Sequence, residues 1–181
     1  IVPLHIFEER YKLMIGECLR HETPFGIVFS DGKNIRQAGC TAVITHVLNR
    51  HEDGRMDILT AGRERFRVTE FLDRKPYLEA RVRFFADAEE EVDNSLIDLA
   101  RRALKELERH ASLTGRSVDR AGLSRIDLER LSFMVAAVEG ITMEDRQRFL
   151  EMTRTSERLK TGIEALRRVV ERLYVKGQLK R

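Results

Sequence analysis

A chain of 181 residues can hold one sizeable core or two small ones, and 42% hydrophobic with 35% charged residues reads as a soluble globular protein. The net charge of +3 is the difference of 33 basic and 30 acidic residues, an excess too thin to argue for a nucleic-acid partner from composition. No apolar run approaches the roughly 18 residues of a membrane span, so no membrane partner is expected.

Taken in chain order, "IFEERYKLMIGECLRHE" carries Ile6, Tyr11, Met14, Ile15, Cys18 and Leu19 at helical spacing, and Thr23-Pro24 stops it. "FGIVF" alternates like a strand, and "SDGKN" is a turn. From Gly39 the pattern is all strand. "CTAVITHVL" is rich in β-branched residues, Asp53-Gly54 marks a hairpin, and "MDILTAGRERFRVTEFL" resumes the strand with a bulge or bend expected at Gly62. Alternation puts Arg63, Arg65 and Arg67 on one face and Phe66 and Val68 on the other. In "YLEARVRFF", Leu78, Ala80, Val82 and Phe84 form the inward set, with Tyr77, Glu79, Arg81, Arg83 and Phe85 outward. Several short strands at this spacing suggest a small barrel or curled sheet.

After "ADAEEEVDN" the period becomes helical. Leu96, Leu99, Ala100, Ala103, Leu104 and Leu107 make the first stripe, and "TGRSVDRAG" is a loop. Ile126 to Val138 reads as a buried helix ended by Gly140. Thr142, with Asp145 three residues on, reads as a helix start. Thr155 or Ser156 caps a last helix whose seam is Leu159, Ile163, Leu166, Val170 and Leu173, ended by Gly177. The junction between the β-rich and helical halves falls at Glu89–Glu91, giving units 1–88 and 89–181, the second an antiparallel bundle.

Catalytic patterns are missing. The chain has no phosphate-binding G-x-x-x-x-G-K-[ST], no G-x-G-x-x-G and no G-x-S-x-G. His46 and His51 are five apart, so on a regular strand they face opposite ways, and each of the five histidines is expected to be structural or at the surface. "EALRRVVERL" is a solvated helix face. Cys18 and Cys40 lie outside any C-x-x-C pattern and read as two buried free thiols of a reducing cytosol. No catalytic, metal or cofactor-binding residue is expected.

Four segments together resemble one family. "PLHIFEERY" (Pro3–Tyr11), "DGRMDILTAGRERFRV" (Asp53–Val68) and "PYLEARV" (Pro76–Val82) are similar to the N-terminal substrate-binding domain of Lon-type ATP-dependent proteases. "LERLSFMVAAVEGITMEDRQRFLEMTRTSERL" (Leu128–Leu159) is similar to that family's helical extension. Each motif alone is modest; the ordered set spans nearly the whole chain. The resemblance implies an α+β fold, a six-stranded PUA-like β-barrel followed by an α-helical bundle. It also implies a first strand upstream of Ile1, in about 10 to 20 further residues. The family's ATPase and Ser–Lys peptidase domains have no counterpart here, so a stand-alone Lon-domain protein or a piece of a full protease is expected.

The resulting expectation is a non-enzymatic module of protein quality control. Its partners would be unfolded or tagged polypeptides and a protease or ATPase. Phe71, Tyr77 and Phe85 are the candidate peptide-binding residues. The alternative is a PUA-like nucleic-acid-binding protein using a basic face of Arg63, Arg67, Arg81 and Arg83 with Arg65, although Glu79 shares that face. For Arg65 a structural role, paired with an acid, is the leading expectation.

Overall fold

The computed structural model describes residues 1–116 and 127–178. Five strands come first: β1 (Val2–Ile6), β2 (Phe25–Ser30), β3 (Ile35–Arg50), β4 (Met56–Leu72) and β5 (Glu79–Phe85), with helix α1 (Glu9–His21) between β1 and β2. All ladders are antiparallel, and the pairing order is β1-β4-β3-β2 with β5 also on β4. The long β4 thus serves two neighbours along one edge: Met56–Thr60 pair with β1 and Arg65–Leu72 with β5. Five strands stand where the resemblance implies six, and no ladder among the described residues joins β2 to β5.

The helical spacing of the sequence includes Ile6. That residue instead ends β1, whose short run is fixed by pairing with β4 and by a hydrogen bond from the Thr60 hydroxyl to the Val2 carbonyl, 2.9 Å. The hairpin at Asp53-Gly54 forms as expected, with Gly54 at φ +83° and the His51 amide donating to the Arg55 carbonyl at 2.9 Å. Ile15 and Ile58 are fully buried in this unit's core, packed with Ile6, Phe25, Ala42 and Met56.

Three of the ladder irregularities carry a threonine. Gly62 faces Ala42 and Arg65 faces Cys40, so Arg63 and Glu64 together oppose Thr41 alone. Thr41 spans that bulge, its hydroxyl donating to the Glu64 carbonyl at 3.2 Å and accepting from the Glu64 amide at 3.0 Å. Thr45 and Thr69 are each the extra residue of a shift, donating to the carbonyls of Leu59 and Arg81 at 3.1 Å. A threonine hydroxyl supplies the hydrogen bond that an interrupted ladder lacks, and each bulge adds twist. The bulge at Arg63 also overturns the expected arginine stripe. An extra residue puts the alternation out of phase, so Arg63 does not share the side of Arg65 and Arg67. Arg63 is exposed, Arg65 buried and Arg67 half-buried.

The compact units are Ile1–Ala86 and Asp87–Arg181. The second unit holds α2 (Asn94–Leu113), α3 (Leu128–Ala136), α4 (Met143–Glu151) and α5 (Thr155–Gln178). Most of the expected loop "TGRSVDRAG", and Ile126, lie outside the described residues. Ala103, Leu131, Val135, Leu159 and Leu166 are buried to 1% exposure or less and form the centre, with the predicted stripe of α2 and the α5 seam from Leu159 to Val170 facing it, while Leu173 packs on a second cluster around Phe149. Gly162 lets α5 approach α3: a Cβ there would lie 2.8 Å from Val135 Cγ1.

Asp93, Asp127 and Thr142 cap α2, α3 and α4 through their side chains, the last as predicted. The expected self-cap of α5 is replaced. Its first turn is held by Glu90, whose carboxylate accepts from the Ser156 amide at 3.0 Å and the Ser156 hydroxyl at 2.5 Å. Burial pushes the Glu90 carboxyl up, but the bonds from Ser156 and Thr155 outweigh it and leave it below the usual range. The helix continues past Gly177, whose intrinsic cost of about 1 kcal/mol does not end it.

A buried cation underlies the unit's boundary. Arg158 is 0% exposed and lies over the Phe133 ring, 3.8 Å from its centroid. Its guanidinium donates to Ser132 Oγ at 2.7 Å, to the Met152 carbonyl at 2.9 Å and to the Asp87 carboxylate. The Ala88 amide donates to the Thr153 carbonyl at 2.7 Å. These contacts make Asp87 and Ala88 part of the helical unit.

Candidate functional site

Residues expected in the interior turn out to form an exposed apolar surface of the first unit. Leu78, Val82 and Phe84 are 52%, 37% and 53% exposed. They line an open groove of about 620 Å³ together with buried Ile15, Phe66 and Val68 and with exposed Phe7, Ile27 and Phe71. The ladder explains the grouping: Phe84 stands opposite Phe66 and Val82 opposite Val68, so all four share one face of β4 and β5. Glycine makes room for the Phe66 ring, since a Cβ on Gly26 or Gly39 would meet Phe66 Cζ at 3.0 or 2.6 Å. Among the described residues, strands β2 and β5, which both contribute to the lining, each pair on one side only. The site is therefore an apolar trough flanked by strands with free backbone edges, able to take side chains and to offer main-chain hydrogen bonds.

The three expected peptide-binding residues separate. Phe71 lines the groove. Tyr77 does not: its hydroxyl donates to Glu17 at 2.5 Å and accepts from Lys75 at 2.8 Å, while Lys75 pairs with Glu17 at 2.6 Å. Hydrogen bonds from Lys75 and then Tyr77 hold the Glu17 carboxyl below its usual value, and the Lys75 ammonium is pushed well up by the same contact. Burial, followed by the bond to Glu17, raises Tyr77. Phe85 is half-buried beneath two guanidiniums, Arg65 at 4.8 Å and Arg67 at 4.9 Å from its ring centre.

The expected basic face is interrupted as well. Arg81 pairs with Glu70 at 2.8 Å, Arg67 is committed to Phe85, and Arg63 sits out of phase at the bulge. Arg83 stands opposite Arg67 in the ladder. Cys18 is buried, and burial pushes its thiol up and away from reactivity. Alternation signals the apolar face of β5, on which Leu78, Val82 and Phe84 lie, but not whether anything covers it.

Residues 1–168 match the family model of the ATP-dependent protease La (LON) substrate-binding domain. The chain belongs to the Lon substrate-binding domain family. The Lon protease of Anaeromyxobacter dehalogenans is 24% identical over 191 residues, covering 99% of this chain and 22% of its own length. The Lon protease of Desulfovibrio desulfuricans is 31% identical over 150 residues, covering 81% and 17%. The chain thus spans about a fifth of the length of these relatives. Among solved structures, the N-terminal domain of a Mycobacterium avium complex Lon protease superposes with a TM-score of 0.70 at 16% identity, covering 91% of this chain and 89% of its own. A Lon N-terminal domain protein from Xanthomonas campestris gives 0.65 at 20%, covering 88% and 85%. At these identities the likeness establishes the Lon N-terminal fold, an antiparallel sheet followed by helices. The match is to the substrate-binding part of Lon and not to its catalytic domains. Among the described residues no helix is long and apolar enough to cross a membrane.

Proposed function

We propose that the chain is a non-catalytic polypeptide-recognition module of protein quality control in the cytoplasm, and that the groove of the first unit receives an extended apolar segment of the client. The observation that carries this is the uncovered apolar face of Leu78, Val82 and Phe84 beside two free strand edges. Exposed contiguous apolar surface is costly in water and marks a binding site. An added strand gains main-chain hydrogen bonds for affinity and places alternate side chains in the trough for selectivity. A protease or ATPase partner would act on what is held here. The free cysteines fit a reducing compartment.

Fluorescence polarisation with a labelled, extended apolar peptide tests the reading. Phe84→Ser or Leu78→Ser should weaken binding by about tenfold, the worth of one large apolar side chain removed from water. Arg83→Glu should leave it unchanged. Peptide binding indifferent to Phe84 and Leu78, or salt-sensitive RNA binding lost with Arg83→Glu, would overturn the proposal.

A further inference from the structure

We propose that His5, His51 and Asp57 form a binding site for a divalent transition-metal ion, with zinc the best-suited occupant. The three residues come from different parts of the sheet. His5 of β1 faces Asp57 of β4 in the ladder, and Asn49 of β3 faces Asp57 from the other side. The β3–β4 hairpin, closed between His51 and Arg55, returns His51 to the same end of β4. His5 Nδ1 lies 2.6 Å from one carboxylate oxygen of Asp57 and His51 Nε2 lies 3.1 Å from the other. One ligand atom from each residue falls within 4.8 Å of the rest. The imidazole rings meet edge-on, centroids 6.1 Å apart and planes 77° apart, so both nitrogens address one small volume rather than stacking past it.

The donor set suits the ion. Two imidazoles and one carboxylate match zinc, copper or nickel and not calcium or magnesium, which require oxygen ligands. The carboxylate cancels half the charge of a divalent ion. Ligand atoms on a tetrahedral zinc lie roughly 3.4 Å apart, so an ion would widen the two histidine–carboxylate contacts of 2.6 and 3.1 Å, and the half-exposed His5 side chain has room to turn. Three protein ligands leave one position open. Asn49 Nδ2 lies 3.4 Å from His51 Nε2, so a rotated Asn49 amide can turn its oxygen toward the ion. In the sequence the nearest two histidines, His46 and His51, are five apart and on one regular strand would face opposite ways. The ladder instead joins His51 to a histidine 46 positions earlier in the chain, a pairing that no local spacing reveals.

Isothermal titration of the untagged protein with zinc chloride is the test, with the folded state of every variant checked by circular dichroism. One ion per chain is expected. His51→Gln, His5→Gln and Asp57→Asn should each weaken binding by more than the roughly 10- to 100-fold lost when an outer partner of a ligand is removed. His46→Gln, at an exposed position of β3, should bind as the parent does. No binding, or binding that survives His5→Gln and His51→Gln in folded protein, would overturn the site and leave these residues as a surface ion pair. Loss with His46→Gln as large as with His51→Gln would overturn it too.

Discussion

A single methyl group tests how the groove is built. At Gly39 an added Cβ would lie 2.5 Å from the Ile27 carbonyl oxygen, 2.6 Å from Phe66 Cζ and 2.8 Å from Val28 Cγ1. Two of those neighbours are side chains that can shift, but the carbonyl is backbone of the paired strand and cannot move without opening the ladder. Gly39→Ala should therefore destabilise by about 1–3 kcal/mol, the cost of overpacking. It should also push Phe66 into the trough and weaken peptide binding. Gly16 gives the contrast, since an added Cβ there meets nothing within 4 Å and the residue sits inside α1. Gly16→Ala should stabilise by about 0.5–1 kcal/mol through lost freedom of the unfolded chain. Urea midpoints of the two variants should move in opposite directions. A neutral Gly39→Ala would mean that β2 and β3 separate more easily than their ladder suggests.

At the scale of elements, α1 is fastened to the connection between β4 and β5 by Glu17, Lys75 and Tyr77. The sign of its pH dependence follows from Glu17. The carboxyl is held below the ordinary value of 4.5 in the folded protein, so the unfolded chain binds the proton first as pH falls. The contribution is complete above that value and is lost as pH drops through the lowered folded one. Asp31, Asp53 and Glu90 are shifted the same way, so the parent alone does not isolate Glu17. The difference between parent and Glu17→Gln does. That difference in urea midpoint should be constant near neutrality and shrink as the pH falls below about 4.5 toward the lowered folded value. A difference independent of pH would show that the carboxylate does not fasten α1. Much of this architecture was legible: the seams of α2 and α5, the hairpin at Asp53-Gly54 and the bulge at Gly62 are local patterns. What escaped depends on partners distant in sequence. Nothing near Ser156 announces that Glu90 caps it. The bulge was foreseen at Gly62, but its consequence, the changed phase of Arg63, required knowing that Thr41 lay opposite. For the groove, the sequence marked which residues share a face, while exposure is decided by which strands close the sheet.

For the whole molecule, the question is where one unit ends and the other begins. Composition placed the junction in the acidic run Glu89–Glu91, because charge without periodicity reads as a linker. Two residues outside that run carry more weight. Asp87 neutralises Arg158, and the Ala88 amide is bonded to the Thr153 carbonyl. A fragment beginning at Glu89 would leave a fully buried guanidinium without its carboxylate, and removing one partner of a buried pair costs about 3–5 kcal/mol. Two fragments, starting at Asp87 and at Glu89 behind the same short Gly-Ser leader, should therefore differ in urea stability by about that amount. Both should keep helical circular dichroism if the apolar centre of the unit suffices to fold it. Asp87→Ala in the full chain guards against an end effect, because it should lower the helical unit's transition by a similar amount while leaving the sheet unit's transition in place. Serine at Ser132 and the Phe133 ring would still contact Arg158 in every version, so any loss reports on the carboxylate. Equal stability of the two fragments would mean that solvent reaches Arg158 once Asp87 is gone, and the boundary would then belong in the acidic run after all.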